Sequence, residues 1–221
     1  MTDSEIVSKT IQFVKETLAD AEGGHDWFHI QRVYNNTLRL AEEEQVDGLV
    51  VRLGALLHDI ADSKFHDSDE TIGPKVAADF LASLKVDKAT SEHVINIIEN
   101  ISFKSSLGAL SSNKKFASKE LEVVQDADRL DAIGAIGIAR AFNYGGFKNR
   151  QLYNPEIAPE PNMTKEAYKK ATGPTINHFY EKLLLLKDRM NTSTGKKLAQ
   201  KRHQYMLDYL NQFDNEWNGL L

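Results

Sequence analysis

Apolar residues recur at three- and four-residue intervals through most of the chain, and no window sustains the two-residue alternation of a half-buried strand. The pattern predicts an all-α fold. Thr2 followed by Glu5 forms a capping box ahead of Ile6, Val7, Ile11, Val14 and Leu18, so a first helix runs to about Asp20, where Gly23 and Gly24 stop it. Asp26 caps a second helix whose inner face is Ile30, Val33, Tyr34, Thr37, Leu38 and Ala41. A third helix carries Val50, Leu53, Leu56, Leu57 and Ile60. Ser63 to Ser68 reads as a loop, followed by a helix at about 70–84. Another helix, capped by Asp87, spans about 88–101 with Val94, Ile95, Ile98 and Ile101 inward.

The stretch 103–118 is rich in Ser, Lys and Gly and reads as a long surface loop. A helix from about Lys119 to Phe142 follows. Its Gly134 and Gly137 cost helix propensity, which points to a close approach by another helix or, alternatively, to a break. Three of the five prolines fall between 154 and 162, after Gly145 and Gly146, so 143–163 forms a second irregular segment, a candidate lid or substrate wall. Helices at about 174–190 and 195–215 close the chain, with Leu183, Leu184, Leu186, Leu198, Met206 and Leu210 as core positions. The expectation is one domain over 1–221 with the C-terminal helices, about 174–215, packed on its core.

Composition narrows the function classes. Hydrophobic residues at 41% and charged residues at 27% describe an ordinary globular protein, and a net charge of −5 gives no global basic field for extended nucleic acid. The longest purely aliphatic run, Leu183 to Leu186, is far below the roughly 18–20 residues of a membrane span, and the polar N-terminus does not read as a secretory leader. Absence of cysteine excludes disulfides and thiolate ligands, is compatible with a cytoplasmic location, and leaves His and carboxylates for any metal chemistry.

Four ionisable residues stand in otherwise apolar helical context: His29, the adjacent pair His58 and Asp59, and Asp128. Such groups cost free energy unless paired or ligated, so together they point to a metal. Two imidazoles and two carboxylates suit Mn²⁺, Fe²⁺, Co²⁺, Ni²⁺ or Mg²⁺, with Mn²⁺ favoured. A lone buried His is more often a satisfied core residue; the joint occurrence reverses that expectation. His25 and Asp26 repeat the His-Asp dipeptide, but at a helix start after two glycines Asp26 reads as the N-cap and His25 as a pocket-edge residue.

His29, then His58-Asp59, then a distant Asp128 resembles the HD-domain superfamily of metal-dependent phosphohydrolases. The surrounding blocks HDWFHIQRV, ALLHDIADSKF, VQDADRLDAIGAIGIARAF and TINHFYEKLLLLKDRMNTSTGKKLAQKRHQYM resemble its branch of small stand-alone bacterial hydrolases. The resemblance implies a single-domain HD-type helical bundle, one divalent ion on His29, His58, Asp59 and Asp128, and a small phosphorylated substrate, a nucleotide first of all. Dinuclear members need further His ligands between the His-Asp pair and the last Asp. His66 and His93 do not match that spacing, so a mononuclear site is expected.

Asp62 follows His58 by four residues, on the same helical face, and is the candidate general base; its alternative is to end the helix or pair with Lys64. Asp126 and Asp131 flank Asp128 at about 160° and 60° and read as solvent-facing or ligand-supporting groups. Candidate substrate cations are Arg32, one turn after His29, with Lys64, Lys104, Arg129, Lys148 and Arg150, and Tyr144 joins them on the loop after the Asp128 helix; ordinary solvated side chains are the alternative for each. His178 and His203 read as packing residues. The reaction expected is hydrolysis of a nucleoside triphosphate to monophosphate and pyrophosphate. A deoxynucleoside monophosphate phosphatase and a non-catalytic nucleotide sensor are the alternatives, and a homodimer is left open.

Overall fold

The computed structural model describes residues 1–19, 21, 26–61, 71–101, 116–161, 163 and 172–221. Every regular element among them is helical, as the periodicity predicts. The loop expected at Ser63–Ser68 and most of that expected at 103–118 fall outside the described residues, and so do His25, Asp62, Lys64, His66 and Lys104. The chain forms two compact units, Met1–Asp128 and Arg129–Leu221.

The first unit is built around its third helix. α1 (Asp3–Thr17) starts with the predicted capping box: Thr2 accepts from the Glu5 N–H, and Glu5 accepts from the Thr2 N–H at 2.7 Å. α2 (Trp27–Ala41) is capped by Asp26, which accepts from the His29 N–H at 3.0 Å. α3 (Gly48–Leu57) is capped by Asp47, whose carboxylate accepts from Leu49 and Val50. Each cap is worth about 1 kcal/mol to its helix. α3 buries Val50, Val51, Leu53, Gly54, Ala55, Leu56 and Leu57, nearly its whole circumference, against α1, α2 and α5 (Lys88–Asn100). A helix apolar on all sides can only sit inside a fold. α4 (Ile72–Ser83) packs on α5, and α6 (Lys119–Asp131) carries Val123, Val124 and Ala127 into the core.

The inner faces differ in detail from expectation. α2 buries Leu40 and His29, while Tyr34, Leu38 and Ala41 are half-buried at the flanks of the stripe. In α5 Ile97 takes the core position expected of Ile95.

The helix expected over 119–142 takes its alternative form, a break: α6 ends at Asp131, and α7 (Gly134–Phe147) starts in the second unit. The break is built from the two glycines. Gly134 has φ +76°, in the left-handed region, and a Cβ at Gly137 would overlap the Ala132 carbonyl. α7 runs on to Phe147, so residues 143–147 are helical and the irregular segment starts after them. That segment is pinned by Thr175 and Ile176, whose N–H groups donate to the carbonyls of Gln151 and Leu152 at 2.9 and 3.1 Å.

The single helix expected over 174–190 is also corrected. α8 (Asn177–Glu181) is short, and Leu183–Arg189 forms a 3₁₀ helix. Four consecutive leucines carry no 3.6-residue phase, and three residues per turn aligns Leu183 with Leu186, the two that are buried. Leu184 and Leu198, expected in the core, are half-buried. α9 (Ser193–Trp217) packs against α7 and the 3₁₀ helix, burying Ala199, Met206 and Leu210. Phe142, Phe179, Tyr209, Phe213 and Trp217 run along it as an aromatic seam with successive centroids about 6 Å apart.

Candidate metal centre

Three helix ends of the first unit converge. His29 lies in the first turn of α2, where the Asp26 cap fixes its backbone, and it is buried. His58 and Asp59 follow the last residue of α3 directly, so the all-round apolar helix carries both polar side chains to the interior. Asp128 lies in the last turn of α6. His29, His58 and Asp59 each offer one ligand atom, and these atoms lie within 4.8 Å of one another. The Asp128 Oδ1 is 3.6 Å from the His29 Nε2 and 3.9 Å from the His58 Nε2.

The two Asp128 separations, 3.6 and 3.9 Å, are too long for hydrogen bonds. They suit donors that share an ion, since two ligands each about 2.1 Å from one cation lie at most about 4.2 Å apart. The protonation of His58 decides whether it can serve. Its Nδ1 is 2.8 Å from the Ala55 carbonyl, and a carbonyl only accepts, so Nδ1 carries a hydrogen and the neutral ring has its lone pair on Nε2. Among the described residues that Nε2 is buried with no hydrogen-bond partner. A buried acceptor left unmatched costs about 1–3 kcal/mol, which a cation at this place would remove. The bond that holds the tautomer is the kind of outer support that orients a metal-binding imidazole. The residues present therefore fit a divalent metal, with two imidazoles to donate nitrogen and two carboxylates to balance its charge.

The other candidates divide. Arg32 is half-buried on α2, one turn after His29. Arg129 is in the second unit, where its Nη1 donates to the Arg189 carbonyl at 2.6 Å, an intramolecular role for a group considered for phosphate. Tyr144 lies in the last turn of α7, not in a loop, and Lys148 and Arg150 stand over its ring at 5.7 and 5.5 Å, as cation–π contacts. Asp126 and Asp131 are both buried, which removes the solvent-facing alternative and leaves the supporting one. Asp131 is held by the Arg140 guanidinium, and its charge also acts on Arg202, which donates to the Leu130 carbonyl. Two arginines beside it are what allow a carboxylate to be buried there.

Two groups escaped the sequence reading. Asn36, seven residues after His29, donates from Nδ2 to the Ala127 carbonyl at 3.1 Å; a polar residue two turns along a ligand-bearing face was the available signal. His93 is 2.9 Å from the Ser118 Oγ and 3.5 Å from the Glu120 Oε2, while Ser118 caps α6 and Glu120 accepts from the Asp47 N–H. That cluster anchors the start of the Asp128 helix, and no sequence pattern links its members. Burial, with Lys182 and Arg150 adding to it, lowers the pKa of His178 to about 3, in keeping with a neutral packing role. No described helix is long and apolar enough to cross a membrane.

Residues 27–133 match the HD domain family. The uncharacterised protein YpgQ of Bacillus subtilis (strain 168) is 39% identical over 208 residues, spanning 94% of this chain and 92% of YpgQ. Among solved structures, an HD-superfamily hydrolase from Bacillus thuringiensis is 43% identical with a TM-score of 0.78, covering 98% of this chain and 99% of its own. A Lactobacillus plantarum protein superimposes with a TM-score of 0.83 at 36% identity, covering 99% of this chain and all of that one. A crystal structure of YpgQ in complex with ADP gives a TM-score of 0.74 at 34% identity, over 98% and 97% of the two chains.

Proposed function

This chain belongs to the HD-domain family, and on that premise we propose that it is a divalent-metal-dependent phosphohydrolase acting on nucleotides. The observation that carries the reading is the buried, unmatched Nε2 of His58, set among His29, Asp59 and Asp128. These four residues hold the ion. A divalent cation, when bound, supplies a Lewis acid that makes water a better nucleophile at neutral pH and offsets phosphoryl charge.

The chain's own groups do the rest. The Ala55 carbonyl keeps the His58 ring in its binding tautomer, and Asp62, four residues beyond, takes the proton of the attacking water as general base. Arg32, Lys64, Lys104, Tyr144, Lys148 and Arg150 remain the candidates to bind phosphate and base. Arg129, already bonded to the Arg189 carbonyl, is the weakest of that group. ADP bound to a relative 34% identical supports a nucleotide as ligand.

The reaction proposed is attack of water on the α-phosphorus of a nucleoside triphosphate. The new bond is from water oxygen to α-phosphorus, the bond to the bridging α–β oxygen breaks, and pyrophosphate departs with the nucleoside monophosphate left behind. A triphosphate carries more charge than one cation can offset, which is the part these basic residues play. Incubating the protein with a nucleoside triphosphate and Mn²⁺, then separating products by ion-exchange chromatography, tests it. Monophosphate with pyrophosphate, abolished by EDTA and by His58→Ala, is the expected result. Orthophosphate alone defeats the α-phosphorus assignment, and release of nucleoside from a deoxynucleoside monophosphate makes the enzyme a monophosphatase.

A further inference from the structure

We propose that Asn36 is a positioning residue that sets the Asp128 carboxylate against His29 and so tunes the affinity of the site for its ion; the inference rests on the metal-site reading above. Asn36 follows His29 by seven residues in α2, about 20° short of two full turns, so both side chains lie on one face, about 10 Å apart along the axis. Both engage α6 at adjacent residues. Near the start of α2, His29 Nε2 approaches the Asp128 Oδ1 at 3.6 Å, and two turns later Asn36 Nδ2 donates to the carbonyl of Ala127 at 3.1 Å.

The two grips oppose each other along the helix. Side chains on an α-helix lean toward its N-terminus and carbonyls point toward its C-terminus, so the Asp128 carboxylate and the Ala127 carbonyl extend from adjacent residues in opposite axial directions. Fixing both stops α6 from sliding or rolling against α2, and sliding is the motion that would carry Asp128 away from His29. The lateral tie matters at this place because the helix tightens just beyond it: Ala132 and Ile133 donate to carbonyls three residues back, Arg129 and Leu130. Ala127 itself is fully buried, which shields the tie from competing water. An amide suits the position, since it donates without adding charge beside a site meant for a cation.

The test uses the full chain in three variants, Asn36→Ala, Asn36→Asp and Asn36→Gln, with His58→Ala as reference. Mn²⁺ dissociation constants are read by electron paramagnetic resonance of the free ion, the visible spectrum is recorded on the Co²⁺-loaded protein, and urea unfolding is followed in EDTA. Asn36→Ala should raise the Mn²⁺ dissociation constant 10- to 100-fold, the usual range for losing an outer support of a metal site, and should alter the Co²⁺ bands. Asn36→Asp, which keeps the shape but faces a carbonyl with an acceptor, should do at least as much. Asn36→Gln keeps the donor and should lie closer to the native value, which preserves the test should the alanine variant fail to unfold cooperatively. Native affinity in Asn36→Ala and Asn36→Asp, with binding lost in His58→Ala, overturns the positioning role alone. Weaker binding with an unchanged Co²⁺ spectrum makes Asn36 a structural residue only, and native affinity in His58→Ala overturns the metal-site reading beneath it.

Discussion

Replacing His58 by Phe separates a metal ligand from a structural histidine, because the two roles predict different stabilities in the absence of metal. Among the described residues the native ring makes one hydrogen bond, from Nδ1 to the Ala55 carbonyl at 2.8 Å, and leaves a buried Nε2 unmatched. Phe keeps a planar ring, somewhat larger than imidazole, and removes both features. Losing the Nδ1 bond strands a carbonyl in the last turn of α3, at a cost of about 1–3 kcal/mol, and removing the orphaned Nε2 recovers about the same. The two terms oppose, so urea unfolding in EDTA should shift by less than about 1 kcal/mol. With Mn²⁺ at 100 times its dissociation constant, the native protein gains about 2.7 kcal/mol over its metal-free form, and His58→Phe should gain nothing. A variant that keeps the Mn²⁺-dependent increment would falsify ligation by His58. A metal-free loss above about 3 kcal/mol would instead show that the ring is held by contacts that the tautomer argument leaves out.

Two further expectations concern the second unit. Asp131→Asn keeps the shape of a buried side chain but removes the charge that Arg140 and Arg202 share, and should cost about 2–3 kcal/mol in urea unfolding at unchanged m, below the full range for a buried pair because Arg140 is partly exposed; a loss under about 0.5 kcal/mol would mean that the arginines find another counter-charge. His178, held neutral by burial with a pKa of about 3, gains no proton in the native state until well below the point, about 6.5, where the unfolded chain takes one up, so its contribution to stability is lost as pH falls from about 6.5 toward 3. Between pH 7 and 5 the native protein should lose about 2 kcal/mol more than His178→Gln, at about 1.4 kcal/mol per unit below the unfolded pKa, and parallel losses would put a charged His178 in the folded state.

What the sequence made legible is local chemistry. The Thr2 capping box, the Asp26 and Asp87 caps and the apolar run ahead of His58 each have a mechanism confined to a few residues, and each is present in the structure. The convergence of His29, His58, Asp59 and Asp128 was legible too, because four costly polar groups in apolar settings need one common explanation. What stayed hidden depends on partners far along the chain. Whether Asp131 faces solvent or supports its neighbours is settled only when Arg140 and Arg202 are placed beside it, and Asn36 looks like a surface residue until α6 arrives 91 positions later. The break before Gly134 and the 3₁₀ path of Leu183–Arg189 are cases where periodicity allowed a continuous helix and packing chose otherwise.

The placement of the candidate ligands at helix ends also bears on why this site suits a cation. His58 and Asp59 follow the C-terminus of α3, and Asp128 lies in the last turn of α6, so two helices present the negative ends of their dipoles near the ligand atoms. His29 sits at the opposite kind of end, in the first turn of α2, but there the carboxylate of Asp26 caps the exposed N–H groups and offsets their partial charge. Each helix end is worth about 0.3–1 kcal/mol to a charge beside it, and the effect fades within one turn, so only residues placed in those turns profit. The field is therefore negative before the carboxylates are counted. Asp59 and Asp128 add two carboxylates, which a group bringing two positive charges would balance. A monovalent cation or a single ammonium group would match those carboxylates less fully, which is the physical reason for expecting a divalent ion there.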